Sequence, residues 1–472
     1  MLSKVDKYLF SYLVLILIIS LVFSLLLLEF DLYYVSDNDV FARVMGIINY
    51  DGIKSVNFNS VWLPFYKIIF GSIYFFLPNI SSIFLLNIFF SSLGIFGIYL
   101  FSKSIFKDIN ISLLSITAYL YFPLRTLLSV LPLTETFFTS LLIFSLYFLS
   151  KITSKYYYIF FSLTYFLMTG LRFEAWYLIP FFLIIILMLK ISKKKKLVMM
   201  ISMILFPLLY LLINLITKDN ALFFLGRKML YADLGSIDNY YSIPYAFKGW
   251  FSQLRMVYPL SFLLLYFHGI YLVYQEKKVL SSLISLIPIY LFFMLVVQVY
   301  LGTMEWFPAR YLLPVLVLTF PYLSLSLITL FKKLTSYFSK KLDLMIKLLF
   351  LLFFCVVLFF KTKNTQNIFY CNDYCSRYKL FNFVMENKSL ERVPYITLKG
   401  SGLWIYNDGF SYYSRPEAFN KIFNIITQDR EGIYCDKDFV VAERNAQELL
   451  CSKYKLIYED TEDFLNIYMK IK

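Results

Sequence analysis

Histidine is almost missing from this chain: His268 is the only one in 472 residues. That excludes Ser-His-Asp nucleophiles, HExxH zinc sites and His-based proton relays. The ordinary reading of His268, inside an apolar run, is a satisfied core side chain. No Gly-rich nucleotide loop is evident, so catalysis falls to carboxylates, Arg, Lys, Tyr or backbone. Acids are scarce where the chain is apolar. Residues 1–361 hold 30 Lys/Arg against 15 Asp/Glu, while residues 362–472 hold 15 of each. The net charge of +15 therefore belongs to the apolar part, scattered in short segments between hydrophobic runs. That arrangement fixes membrane topology and does not grip a phosphate backbone, so nucleic acid is not an expected partner. Cysteine is sparse: Cys355 lies in the last apolar run, and Cys371, Cys375, Cys435 and Cys451 follow it. On an oxidising side these four would form one or two disulfides, in any of three pairings. Their spacing, C-x3-C with C-x15-C, matches a zinc site poorly.

What is abundant is apolar surface: 60% of residues are hydrophobic and the mean hydropathy is +0.68. A water-soluble domain cannot hide so much, and weak alternation argues against a β-barrel. The expectation is a polytopic α-helical membrane protein with about eleven spans. They fall near 8–28, 80–102, 110–128, 133–150, 156–172, 175–191, 197–217, 256–274, 280–301, 310–331 and 343–361. The first reads as a retained signal anchor with a cytoplasmic N-terminus, and an odd count places the C-terminus outside. Lys103/Lys107, Lys151/Lys155, Lys193–Lys196, Lys277/Lys278 and Lys332/Lys333/Lys340/Lys341 then fall inside, as the positive-inside rule requires. Residues 1–361 form a transmembrane domain, and 362–472 a small extracytoplasmic α/β domain. Its expected strands are Val393–Leu398, Phe439–Ala442 and Lys455–Tyr458, with helices near Ser376–Asn387 and Ala442–Cys451.

Two outer loops exceed a simple connection. In 218–255 the aromatics Phe223, Phe224, Tyr231, Tyr240, Tyr241, Tyr245 and Trp250 suit a membrane-interface belt. In 29–79 the stretch Phe30–Asp51 carries Asp31, Asp37, Asp39 and Asp51, followed by WLPFYKIIFGSIYFFLP, an interfacial or re-entrant segment. Ser36 to Asp39 opens a helical pattern with Val40, Phe41, Val44, Met45, Ile47 and Ile48 on one face. Ser36 and Asp39 fit a capping box, and Asp39 fits an i,i+4 pair with Arg43, so a structural role is available. An interfacial helix also presents Asp37 and Asp39 where a carboxylate can take a proton from an incoming hydroxyl. At the same level stand Glu135 in LPLTETFF, Arg172 and Glu174 in TGLRFEAW, and Glu305 and Arg310 in GTMEWFPARYLLP. Each alone could be an interfacial anchor; Arg172–Glu174 could be a structural pair. Arg310 is the best phosphate ligand, because guanidinium keeps its charge and grips bidentately.

The acid-bearing loop, WLPFY, LPLTETFF, GLRFEAW and ARYLLP, in that order, cover most of residues 1–331. In this the chain resembles the GT-C superfamily of polyprenyl-phosphate-sugar glycosyltransferases, in its protein O-mannosyltransferase and aminoarabinose transferase branch. The resemblance implies an Asp-Glu pair in the first loop, whose Asp, the base, falls on Asp37. Its Glu falls on Asn38, a departure that leaves Asp39 as second carboxylate or base. The family's basic residue at the donor phosphate falls on Arg310.

The implied activity is an inverting transfer of one sugar, hexose or mannose-like, from a polyprenyl- or dolichyl-phosphate donor to an extracytoplasmic glycan, lipid or protein acceptor. Asp37 or Asp39 is the base, Arg310 with Arg172 holds the leaving phosphate, and Glu135, Glu174, Glu305 and Arg43 are supporting polar groups. A monophosphate leaving group requires no metal; a divalent cation, if used, would sit on Asp37 and Asp39. The expected location is a multi-pass protein of the cell membrane or an ER-type membrane. The alternatives are a flippase or transporter of lipid-linked sugars, and an oligosaccharide ligase.

Overall fold

Prolines decide where the apolar runs of this chain stop being single helices. The structure, a computed structural model, describes Ile18, Val22, Arg43, Val44, Gly46, Ile47, residues 50–56, 58, 62–154, 156–225, 242–276, 279–301 and 307–335, and four C-terminal strands. The expected spans 8–28, apart from Ile18 and Val22, and 343–361 lie outside the described residues, as do all five cysteines. The helices are α1 Phe65–Phe76, α2 Ile80–Phe106, α3 Ile109–Leu120, α4 Pro123–Val130, α5 Thr134–Ser150, α6 Tyr157–Thr169 and α7 Glu174–Met188. There follow α8 Lys193–Lys218, α9 Ile243–Val257, α10 Leu260–Gln275, α11 Val279–Ser285, α12 Ile287–Tyr300, α13 Leu313–Val317 and α14 Phe320–Thr335. Among the described residues α2, α8 and α11–α12 are long and apolar enough to cross a membrane, and the number rises to six if each of three bent pairs is one span. Exposed Leu208, Leu212, Leu215 and Ile216 on α8 present an apolar face of the kind that lipid covers. This is an α-helical integral membrane architecture.

The run 110–128, expected as one span, is α3 and α4 bent by 58°. Pro123, at the start of α4, supplies no N–H to continue the α3 ladder. The expected span 256–274 begins only after Pro259, and the amphipathic α9 precedes it at 101°. The expected span 310–331 breaks by 52° ahead of Phe320-Pro321. The three breaks meet in the core. Phe122 lies edge-on to Phe320 at 5.3 Å and to Tyr258 at 6.3 Å, and the Tyr258 and Thr319 hydroxyls are 2.6 Å apart. By contrast, Pro180 and Pro207 lie inside α7 and α8, which continue past them.

Helix α5 is central, packing along α2 on one side and α6 on the other. Close approach of α10 and α14 depends on Gly269, where a Cβ would come within 2.2 Å of the Tyr322 carbonyl oxygen. Lys193–Lys196, expected in a loop, form the first turn of α8 behind the Ser192 cap, and the Lys196 ammonium donates to the Leu187 carbonyl at 2.6 Å. The interface-belt reading fails for two of its aromatics. Trp250 is fully buried with its indole N–H on the Leu295 carbonyl at 3.0 Å, and Phe224 stacks on Phe173. Tyr231, Tyr240 and Tyr241 lie outside the described residues. His268 is half-buried and satisfied, its Nδ1 2.7 Å from the Ser326 hydroxyl.

The C-terminal strands are β1 Tyr395–Ile396, β2 Phe439–Glu443, β3 Tyr454–Glu459 and β4 Leu465–Lys470, in the order β1-β2-β4-β3. β1 and β2 run parallel, and the other pairs are antiparallel. Ala442 and Glu443, expected to begin a helix, end β2. β4 was not anticipated.

Candidate active site

Two chain reversals and one 3-10 turn bring the site together. α4 ends at Val130 with its last carbonyls cut off from any continuing ladder, a cost that a buried helix end must meet by other donors. The Asn87 amide of α2 meets it, donating to the carbonyls of Leu128 at 2.9 Å, Ser129 at 3.0 Å and also Leu131. The Thr136 hydroxyl adds a bond to Leu128 at 2.8 Å. The 131–133 connection is thereby fixed, and α5 opens with Thr134 and Glu135, the acid lying in the positive first turn of the helix.

The second reversal, Gly170–Phe173, is clamped at each end. Tyr165 donates to the Ala175 carbonyl at 2.9 Å, the Trp176 indole to Thr169 at 2.7 Å, and the Phe65 amide to Gly170 at 3.0 Å. Gly170 is required here, since a Cβ would come within 2.1 Å of the Phe65 ring. From this turn Arg172 reaches inward and Glu174 opens α7. The third contributor is the 3-10 turn Ala309–Leu312, which carries Arg310 and Tyr311.

The polar cluster is almost wholly buried: Glu135 is 2% exposed and Arg172, Glu174 and Arg310 are 6–7% exposed. Arg172 grips Glu174 bidentately, Nε to Oε2 at 3.0 Å and Nη2 to Oε1 at 2.5 Å. Its Nη1 lies 2.6 Å from Glu135 Oε1 and donates to the Thr134 hydroxyl at 3.0 Å. Burial works against the Arg172 charge, but Glu135 and Glu174 outweigh it and hold the guanidinium well above its ordinary pKa. Arg310 Nε lies 3.1 Å from the same Glu135 oxygen. The Tyr311 ring lies under both cations, 4.3 Å from the Arg172 Cζ and 5.5 Å from the Arg310 Cζ. Two guanidinium and two carboxylate groups thus balance, with Glu135 the bridge between the arginines.

The described residues Arg43, Val44 and Ile47 lie beside this cluster. Val44 and Ile47 share a core with Tyr66, Phe70, Ile83, Phe137 and Leu171. Phe137 follows Glu135 by two residues, and Leu171 precedes Arg172. The Arg43 guanidinium lies 4.8 Å from the Trp62 ring and 5.4 Å from the Tyr66 ring. Asp51 is exposed at the end of this segment. Asp31, Asp37, Asp39 and Glu305 lie outside the described residues.

The structure therefore brings together Glu135, Arg172, Glu174 and Arg310, with Arg43 on the adjoining segment. It adds Thr134, Tyr311, Tyr66 and Asn87, which the sequence reading passed over. The first three stand inside the motifs LPLTETFF, ARYLLP and WLPFY. Asn87, an amide in an otherwise apolar run, was the only signal for the clamp. Among the described residues no group of three His, Cys, Asp or Glu is placed to hold a metal ion.

No protein-family model matches the chain. No curated protein matches it either. Solved structures do. ArnT from Cupriavidus metallidurans in the apo state is similar with a TM-score of 0.55 and 10% identity, over 98% of each chain. The archaeal oligosaccharyltransferase AglB from Archaeoglobus fulgidus, in complex with an inhibitory peptide and a dolichol-phosphate, gives 0.54 and 12%, over 94% of this chain and 70% of that one. A second A. fulgidus oligosaccharyltransferase structure, with Zn and sulfate, gives 0.52 and 12%, over 97% and 73%. ArnT and AglB both belong to the GT-C superfamily. This chain shares its fold with ArnT and with the archaeal oligosaccharyltransferase AglB.

Proposed function

We propose that the protein is a membrane glycosyltransferase that moves a single sugar from a polyprenyl- or dolichyl-phosphate donor to an extracytoplasmic acceptor with inversion. The observation that carries this reading is the buried Arg310–Glu135–Arg172 cluster, with Val44 and Ile47, which follow the loop acids in the chain, packed beside it. Such a site offers cationic groups for a departing phosphate next to a segment that supplies carboxylates. Asp37, or Asp39, deprotonates the acceptor hydroxyl, whose oxygen attacks the anomeric carbon while the C–O bond to phosphate breaks. Arg310 stabilises the released phosphate, which carries away the electron pair. Arg172 commits Nε, Nη1 and Nη2 to Glu174, Glu135 and Thr134, which suits it as the strut that holds Glu135, and through it Arg310, in place. Low polarity around the cluster strengthens each of these interactions.

Transfer of a whole oligosaccharide is the second reading, favoured by the likeness to AglB. The single-sugar reading is preferred on the likeness to ArnT, an aminoarabinose transferase. The test is transfer from radiolabelled polyprenyl-phosphate sugars and lipid-linked oligosaccharides by membranes bearing Asp37→Asn, Asp39→Asn or Arg310→Ala. Loss of the base should lower the rate about 10²–10⁴-fold, and loss of Arg310 about 10²–10³-fold. Full activity in all three variants would refute the site. Passage of intact lipid-linked sugar across the membrane, without a glycosidic product, would replace the enzyme with a flippase.

A further inference from the structure

The densest charge of the chain stands one helix away from the cluster. α7 opens on Glu174, and its 15 residues, about 22 Å of helix, lead to the turn that enters α8. Five of the seven residues from 190 to 196 are lysine, and between Lys151 and Lys196 the one acid is Glu174 itself. Two other turns at this end of the bundle carry acids of their own. Asp108 follows Lys107 and takes the Lys332 ammonium at 3.3 Å, and Glu276 precedes Lys277 and Lys278. The turn from α5 to α6, which adds Lys151, has no acid. Packing of α6 on α8 brings these two acid-free turns together, with Lys195 Nζ 5.4 Å from the Tyr158 ring.

Two of the five lysines are engaged by the protein: Lys195 on Tyr158, and Lys196 on the Leu187 carbonyl at 2.6 Å. Lys190, Lys193 and Lys194 are exposed and make no ion pair or side-chain hydrogen bond among the described residues. Membrane topology asks only for a bias of basic residues. Lysines in the first turn of a helix are opposed by its dipole and by one another, so this density is unfavourable until an anion meets it. The same helix face shows which anion fits. Lys193, Leu197, Ile201 and Leu205 follow at intervals of four along α8 and form one exposed stripe, charged at its start and apolar beyond. A soluble anion would use only the start of that stripe, whereas a phospholipid matches all of it, phosphate first and acyl chain after. We propose that Lys190, Lys193 and Lys194 hold the phosphate of an anionic glycerophospholipid whose acyl chain lies along Leu197, Ile201 and Leu205. This site is separate from the Glu135 cluster and does not depend on the glycosyl-transfer reading.

The test uses the full chain in a neutral detergent and measures bound lipid by native mass spectrometry. The probes are phosphatidylglycerol and phosphatidylcholine with the same acyl chains. Wild type should bind phosphatidylglycerol about a hundredfold more tightly, about fivefold for each of the three lysines. Lys190→Gln, Lys193→Gln and Lys194→Gln together should remove that preference, and Arg at the same three positions should keep it. Lys151, Lys195 and Lys196 stay in place, so the basic bias that orients the chain is retained. Lys103→Gln, Lys107→Gln and Lys333→Gln together, a loss of equal charge at the same end of the bundle, should leave the preference unchanged. Excess glycerol phosphate, a headgroup without chains, should not displace the lipid. In phosphatidylcholine the Gln variant should unfold at the wild-type temperature or higher, since it sheds only mutual repulsion. No preference in wild type overturns the proposal, as does an equal loss in the control variant or a loss in the Arg variant. Displacement by glycerol phosphate overturns it in favour of a site for soluble anions. A fall in the unfolding temperature of the Gln variant overturns it by showing that these lysines serve the fold.

Discussion

Replacing Glu135 with Gln keeps the shape of the side chain and removes the one charge that both site arginines share. Glu135 is 2% exposed, 2.6 Å from Arg172 and 3.1 Å from Arg310, so water cannot take over its role. Removing one partner of a buried ion pair costs about 3–5 kcal/mol, chiefly because the surviving charge is stranded. Arg172 is not stranded, since its bidentate bond to Glu174 persists at 2.5 and 3.0 Å. The expected loss is therefore near the lower bound, about 3 kcal/mol. Arg172→Gln should cost more, about 4–5 kcal/mol, because it leaves Glu135 and Glu174 buried with a single cation between them. Glu174→Gln should cost less than either, because Arg172 retains Glu135 and Thr134. Thermal unfolding in nanodiscs, followed by intrinsic fluorescence, gives the order. A double-mutant cycle of Glu135→Gln with Arg310→Gln should return a coupling energy of about 1–3 kcal/mol. Wild-type stability in Glu135→Gln, or strict additivity with Arg310→Gln, would refute Glu135 as the bridge.

Other perturbations address what holds the cluster in place. Asn87→Ala removes a donor from the carbonyls of Leu128, Ser129 and Leu131, of which Leu128 keeps the Thr136 hydroxyl and Leu131 the Leu133 amide, and should cost about 2 kcal/mol. Hydrogen exchange should quicken across 128–136 and stay unchanged in α8; uniform quickening would contradict a local clamp. Gly269→Ala forces α10 away from the Tyr322 carbonyl and should destabilise by about 1–3 kcal/mol, as overpacking does. Unaltered unfolding would show that the helices part without strain. Tyr258→Phe removes the 2.6 Å contact with Thr319 and should cost about 1 kcal/mol. A loss well above that would mean the hydroxyl holds the three helix breaks by itself.

The long helices were legible because lipid-facing runs need only length and apolarity to be recognised. α2, α5, α6 and α7, and α11 with α12 together, begin and end close to the expected bounds. The bends were less legible, although the residues responsible were in view. Pro123, Pro259 and Pro321 mark breaks, yet Pro180 and Pro207 do not. What separates them is the neighbouring contact: the broken ends pack on one another through Phe122, Tyr258 and Phe320, which lie far apart in the chain. At the site, Glu135, Arg172, Glu174 and Arg310 could be named from charge at span ends, since few other ions stand there. Of their connectivity, only the Arg172–Glu174 pair could be named. That Glu135 bridges two arginines depends on a crossing of α5 with two later turns, and Asn87 acts through a bond to a segment about forty residues away.

The central claim is that a sugar leaves a lipid monophosphate in this membrane with inversion at its anomeric carbon. The direct measurement supplies a donor bearing a defined anomer and a radiolabelled phosphate to membranes that contain the protein and its native acceptor. Product configuration is read by NMR, and the released lipid by chromatography. Polyprenyl monophosphate released in step with a glycoside of inverted configuration is the predicted result. Retained configuration, release of a diphosphate, or donor recovered intact would contradict it.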